Sequence, residues 1–202
     1  MAERGRGTAT GRSPHTSSAR DRVLDAYESL LIDQGSAGAT LDAVAAAAEV
    51  SKGGLLYHFS SKEALATGLL TRLRERSTLD AELMRADPDG PVAYYLRTSV
   101  PGGPSPAGLT RSYLATLRIA DASTTGAAAR EALAAVDADG LAALRAEIDD
   151  PVVAWLVQLV GDGLYLRTLT GAPLTGGVPP EELHATLTRL LGRSPGAGDR
   201  EE

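Results

Sequence analysis

Thr40 to Lys62 reads TLDAVAAAAEVSKGGLLYHFSSK, and this stretch decides the fold. Leu41, Val44, Ala45 and Ala48 recur at helical spacing behind Thr40, a natural N-cap. Ser51 caps a second short helix that ends near Tyr57 or His58, with a tight turn at Glu49-Val50 between the two. Val50 and Leu55 plug the space between the helices, and the small residues Ala45 to Ala48 let them cross closely. Two short helices joined this way are the helix-turn-helix layout. In that layout the start of the second helix enters the major groove of DNA, which here presents Lys52, Gly53 and Gly54. Lys52 can donate to guanine O6 or N7, and the glycines remove bulk so that the backbone can approach base edges. Tyr57, His58, Lys62 and the free amides of the Ser60–Glu63 helix start can donate to phosphates.

Outward from this window the apolar spacing stays helical. The chain holds 34 Ala and 29 Leu but only 3 Ile, a helix-forming palette without the period-2 alternation of strands. A first helix is predicted from Ser18 to Gln34, stopped by Gly35, with Val23, Tyr27, Leu30 and Leu31 on one face. Ser60 and Glu63 form a capping box that opens a long fourth helix to about Arg85. Pro88 and Gly90 break it. Further helices are predicted at 91–100, 107–122, 125–149, 151–170 and 179–191, with a loop at 101–106. The expectation is an all-α protein of about nine helices. Its parts are a basic disordered arm (1–17), a DNA-binding domain (18–77), a larger helical domain (78–191) and a disordered tail (192–202).

Composition narrows the chemistry. A chain of 202 residues buries about 70% of its unfolded surface, enough for a core without staples. The absence of Cys excludes disulfides, thiolate metal sites and a Cys nucleophile, and three scattered His argue against zinc; no cofactor is expected. Net charge is −6, yet residues 1–20 carry a local +3 from Arg4, Arg6, Arg12 and Arg20 against Glu3. That block is either a solubilising leader or an arm for phosphates or the minor groove. No secretory signal is visible, and the most apolar stretch, Val152 to Leu169, is interrupted by Gln158, Asp162 and Arg167, so a soluble, cytoplasmic protein is expected.

The run Ser51-Lys-Gly-Gly-Leu-Leu-Tyr-His-Phe-Ser-Ser-Lys-Glu-Ala-Leu65, preceded by Thr40-Leu-Asp-Ala-Val-Ala45, resembles the DNA-binding domain of TetR-family transcriptional regulators. The resemblance covers about Ser18 to Ser77. It implies a homodimeric, all-helical, ligand-responsive regulator, usually a repressor released from a palindromic operator by a small molecule; separately, the composition, with 2 Lys against 18 Arg and abundant Ala and Gly, suggests a GC-rich bacterial genome. Carried over position by position, it places DNA contacts on Thr40, Ser51, Lys52, Gly53, Gly54, Tyr57, His58 and Lys62. Two positions depart from the family pattern: Glu49 stands where the turn often holds Gly, and Leu56 where many members have an aromatic.

The C-terminal region offers fewer signals. Candidate ligand residues are the large side chains Tyr94, Tyr95, Tyr113, Arg118, Trp155 and Tyr165, each of which can equally be core. With five aromatics beyond Glu63, an aliphatic-lined pocket is favoured over an aromatic cage for flat cations. The stretch 152–160 is apolar on every side, and Leu183, Leu187 and Leu190 form a stripe on the last helix. A four-helix dimer interface through Val153, Val157, Val160, Leu164 and that stripe is expected, with Gly161 and Gly163 allowing close approach. An enzyme is disfavoured, since no glycine-rich phosphate loop, metal-spaced His cluster or Ser elbow is present. The competing reading is a helical ligand-binding or scaffolding dimer without operator binding.

Overall fold

A computed structural model describes residues 18–100, 106–122, 124–170 and 180–190. The basic arm to residue 17, the tail from 191 and the 101–105 loop lie outside the described residues. Among those described there are nine helices and no strand: α1 (Ala19–Gly38), α2 (Leu41–Ala47), α3 (Lys52–His58), α4 (Lys62–Ala86), α5 (Pro91–Ser99), α6 (Leu109–Leu117), α7 (Gly126–Leu144), α8 (Pro151–Thr170) and α9 (Pro180–Leu190). None is long and apolar enough to cross a membrane.

The first three helices begin where a hydroxyl can serve an orphan amide. Ser18, Thr40 and Ser51 accept from the backbone N–H groups of Asp21, Ala43 and Gly54 at 3.0–3.2 Å. The fourth cap is Ser61, which accepts from Ala64 N at 3.2 Å, one residue later than the expected Ser60 box. Gly35 has φ 72 and ψ −176, so the regular part of α1 ends there as predicted. A single further turn then carries the chain to Gly38.

Val23, Leu24, Tyr27 and Leu31 of α1 are buried with Val44 and Ala45 of α2, Ala48 just after it, Leu55 of α3, Phe59, and Leu65 and Leu69 of α4. Gly68 belongs to this packing: a Cβ there would lie 2.6 Å from Phe59 Cε1, so α4 approaches the ring only because the side chain is missing. Arg20 sits on α1 with its guanidinium 5.4 Å from the centroid of Phe59, as part of the domain and not of a free arm. A second core joins Met84, Val92, Tyr94, Leu96, Leu144, Ile148, Ala154, Val157 and Leu164.

The dimer expectation needs correction here. Val157 and Leu164 are buried inside the chain's own core, and Val153, Val160, Leu183 and Leu187 pack against it. The side chain of Leu190 lies outside the described set. Gly161 is also spent internally, because a Cβ there would collide with the ring of Tyr95. The outward face of α8 is instead Val152, Trp155, Leu156 and Leu159, at spacings of three and four, each 45–60% exposed. A run apolar on every side hides its orientation, so periodicity could not tell the two faces apart.

Glu49, in the α2–α3 turn, has φ 54, a left-handed conformation that costs an L-residue with a Cβ roughly 1 kcal/mol or more. Its N–H still bonds Ala46 O at 3.2 Å, so the conformation is fixed by the turn. Glu49→Gly is expected to stabilise the chain by about 1 kcal/mol, read as a higher urea midpoint at unchanged slope. No gain would mean that Glu49 makes a compensating interaction.

Candidate DNA-binding surface and effector cavity

The α3 surface follows from the caps. Ser51 fixes the start of α3, Leu55 anchors it in the core at 0% exposure, and Phe59 closes its end. The opposite face is therefore turned to solvent. Ser51, Lys52, Gly53, Tyr57 and His58 are exposed, Thr40 is exposed at the head of α2, and Gly54 is half-buried. Tyr57 is 86% exposed, the most exposed large apolar side chain among the described residues, and its ring meets His58 edge-on at 5.1 Å.

The two glycines differ. A Cβ on Gly53 would meet nothing within 4 Å, so the fold makes no demand for glycine there. A Cβ on Gly54 would stand 3.2 Å from Ser51 Oγ, crowding the very hydroxyl that caps α3. The sequence reading gave both glycines to an external partner; Gly54 serves the cap. Lys52 Nζ lies 2.8 Å from Asp42 Oδ1, with both side chains well exposed, a pair worth little and easily exchanged. Lys62 does a structural job: it is half-buried, and its ammonium donates to the Ser36 carbonyl, tying the end of α1 to the start of α4.

At the other end of the chain, α4, α5, α6, α7 and α8 enclose a cavity of about 370 Å³, within the range of small-molecule sites. Three of the six predicted ligand residues line it: Tyr95, Tyr113 and Tyr165. Tyr94 is buried in the core with its hydroxyl donating to Asp80 at 2.7 Å. Arg118 reaches from α6 to the Ile32 carbonyl of α1, and Trp155 stands on the outer face of α8; neither lines the cavity. The lining is aliphatic only in part, since three of the chain's tyrosines meet there with three carboxylates, Asp80, Asp137 and Asp162. Sequence reasoning missed these acids, because a lone Asp on a helix reads as a solvated face.

Tyr95 donates to Asp162 at 3.1 Å and Tyr113 to Asp137 at 3.3 Å. Gln158 donates to the Asp137 carbonyl at 2.7 Å. Burial pushes all three carboxyls above the usual range, and at Asp137 the neighbouring Asp162 charge adds to it. Burial raises the three cavity tyrosines too, so they remain protonated donors. Among the described residues no group of His, Cys, Asp and Glu is arranged to hold a metal ion.

Between the two regions lies a buried charge cluster that the sequence reading did not find. Glu28 of α1, at 0% exposure, faces Arg72 and Arg76 of α4 and Arg111 of α6 at 3.0–3.6 Å. Ser112 of α6 donates to Glu28 at 2.6 Å. Arg72 also pairs with Asp21 and Asp25. The α6 helix thus turns Tyr113 to the cavity and the adjacent Ser112 to α1.

Residues 23–69 match the profile of bacterial regulatory proteins of the tetR family. The region that carries the exposed α3 face is therefore of the tetR-family type. The match spans α2 and α3 and runs into α4, the region of the exposed face described above. Solved structures agree over most of the chain. A TetR-family member from Streptomyces coelicolor A3 is 26% identical, with 86% of this chain and 98% of that one covered at a TM-score of 0.61. The multidrug binding protein EbrR, solved with malachite green, is 27% identical, with 88% and 98% covered and a TM-score of 0.61. A transcriptional regulator from Rhodococcus sp. Rha1 shares the fold at 23% identity and a TM-score of 0.62, with 87% and 95% covered. No curated protein matches this sequence.

The raised carboxyls give the cavity a pH signature. Each binds its proton more tightly in the folded chain than in the unfolded one, so stability falls as pH rises through the window between the two values. Above that window the cost of the partly desolvated charges is fully present. Asp137→Asn is therefore expected to melt at a higher temperature than wild type at pH 7, with the difference shrinking below about pH 4, where carboxyls protonate anyway. A difference independent of pH would assign the effect to packing.

Proposed function

We propose that this TetR-family regulator acts as a dimeric repressor that holds a palindromic operator through α3 and releases it when a small effector fills the α4–α8 cavity. The observation that carries the reading is the bare, outward face of α3. Folding alone gives no reason to leave Tyr57 in water beside a glycine whose Cβ would touch nothing. Even in the first turn of a helix glycine is less favourable than Ala, and close approach of a base edge is a reason to bear that cost. In this reading Lys52 and Gly53 meet bases, and Thr40, Ser51, Tyr57 and His58 meet phosphates. Gly54 and Lys62 contribute through the cap and the α1–α4 tie.

A second copy is the partner that suits the apolar outer face of α8, Val152, Trp155, Leu156 and Leu159. Gly163, where a Cβ would meet nothing within the chain, lies near that face. Two recognition helices then address half-sites one or more helical turns apart. The effector is felt because α4 and α6 each carry cavity residues and contacts to Glu28 of α1. EbrR, a multidrug binding protein of similar fold, is solved in complex with imidazole and with malachite green, which supports a small molecule as the effector here.

Selection of bound sequences from a random duplex pool tests the reading. Wild type is expected to enrich a palindrome, and Lys52→Ala and Tyr57→Ala to lose the enrichment. Gly53→Ala is expected to fold about 0.5–1 kcal/mol more stably while binding the selected site more weakly. No enrichment at low salt would leave a helical ligand-binding or scaffolding dimer.

A further inference from the structure

The cavity walls carry a charge imbalance. Its described lining contains no Lys, Arg or His, while Asp80 of α4, Asp137 of α7 and Asp162 of α8 all face it. Each accepts one tyrosine hydroxyl, which leaves most of the acceptor capacity of an ionised carboxylate unused. The carboxylates are not arranged to hold a metal ion. Apolar walls fill the space between them, with Met84, Leu109, Leu117 and Val136 on three helices. Tyr113 and Tyr165 meet edge-to-face with centroids 5.5 Å apart, and Gly161 lets the ring of Tyr95 lie against α8 beside Asp162.

Three effector classes are then distinguishable. An anion would enter a space that already holds like charge, with no cationic side chain in the described lining to offset the repulsion. A neutral apolar molecule would gain from the walls alone. A cation with an apolar body gains from the walls, the carboxylates and the tyrosine faces together.

We propose that the effector of this regulator is a small organic cation with an aromatic or apolar body, its charge taken by Asp137 and Asp162 and its body by Tyr95, Tyr113 and Tyr165. The inference rests on the reading of the cavity as an effector site. Asp80, partly engaged by Tyr94, closes the α4 side of the same negative field. The arrangement gives a reason for three acids to share one concave, partly desolvated space: a bound cation offsets their mutual repulsion.

Titration calorimetry of the full chain without DNA tests this with matched probes. Phenyltrimethylammonium and its neutral isostere tert-butylbenzene differ only in charge, benzenesulfonate supplies the anion, and ethidium a larger cation. At least one cation is expected to bind on the order of tenfold or more tightly than the neutral isostere, and benzenesulfonate not measurably. Asp137→Asn and Asp162→Asn should each lower the cation affinity by roughly tenfold and leave tert-butylbenzene unaffected, while Asp33→Asn, on exposed α1, changes neither. Benzenesulfonate binding as tightly as the cations, no binding by either cation, or full cation affinity in both cavity variants would overturn the proposal. The wild-type comparison stands whether or not the variants fold. Because no DNA is present, a cation that binds while operator selection fails would sink the repressor reading and leave this one standing.

Discussion

Glu28 is a carboxylate removed from water, and the relation between the two halves of the chain depends on how its charge is met. An isolated ionised carboxylate in such surroundings costs several kcal/mol even after relaxation. Here three guanidinium groups and one hydroxyl converge on it from two helices, α4 and α6, while Glu28 itself belongs to α1. Arg72 reaches further to Asp21 and Asp25 and to the Asp21 carbonyl, so it fixes α4 to α1 over two turns. An apolar contact between these helices would tolerate sliding. A directional cluster of this kind does not, because every small shift leaves a buried charge without its partner. Helix α1 carries the packing surface for α2 and α3, so the orientation of the exposed α3 face is set by this cluster.

The same helices reach the cavity. On α4, Arg76 grips Glu28 while Ser77 and Asp80 line the cavity, and Ser77 also donates to Asp139 of α7 at 2.8 Å. On α6, Ser112 and Tyr113 face the two regions in turn. A ligand that displaces α4 or α6 by a fraction of a turn must disturb the Glu28 contacts. Coupling of this sort is reciprocal, since whatever the effector does to operator affinity the operator does to effector affinity.

Much of this was legible in the sequence. The helix-turn-helix, the caps at Thr40 and Ser51, the stop at Gly35 and the strained turn at Glu49 each rest on local chemistry that short-range spacing encodes. The α4 cap moved by one residue because Ser60 and Ser61 both qualify and only the chain path selects between them. Glu28 left a signal that went unread: it continues the Leu24–Leu31 stripe of α1, and Arg72 and Arg76 continue the Leu65–Leu69 stripe of α4. Opposite charges at apolar-stripe positions of two helices announce a buried pair. Trp155 and the outer face of α8 were not legible, since a helix apolar all round has no preferred face until its neighbours are placed. The cavity acids were unreadable for a related reason: Asp80, Asp137 and Asp162 lie on three helices, and only tertiary packing brings them together.

Ser112 of α6, which donates to Glu28 beside the cavity residue Tyr113, is the point where the cavity and the α3 face would communicate. The most direct measurement is the affinity for the selected operator with and without saturating phenyltrimethylammonium, in wild type and in Ser112→Ala. The account predicts that the cation weakens operator binding in wild type, and that the fold-change shrinks in Ser112→Ala although operator and cation each still bind alone. An undiminished fold-change in that variant would contradict it.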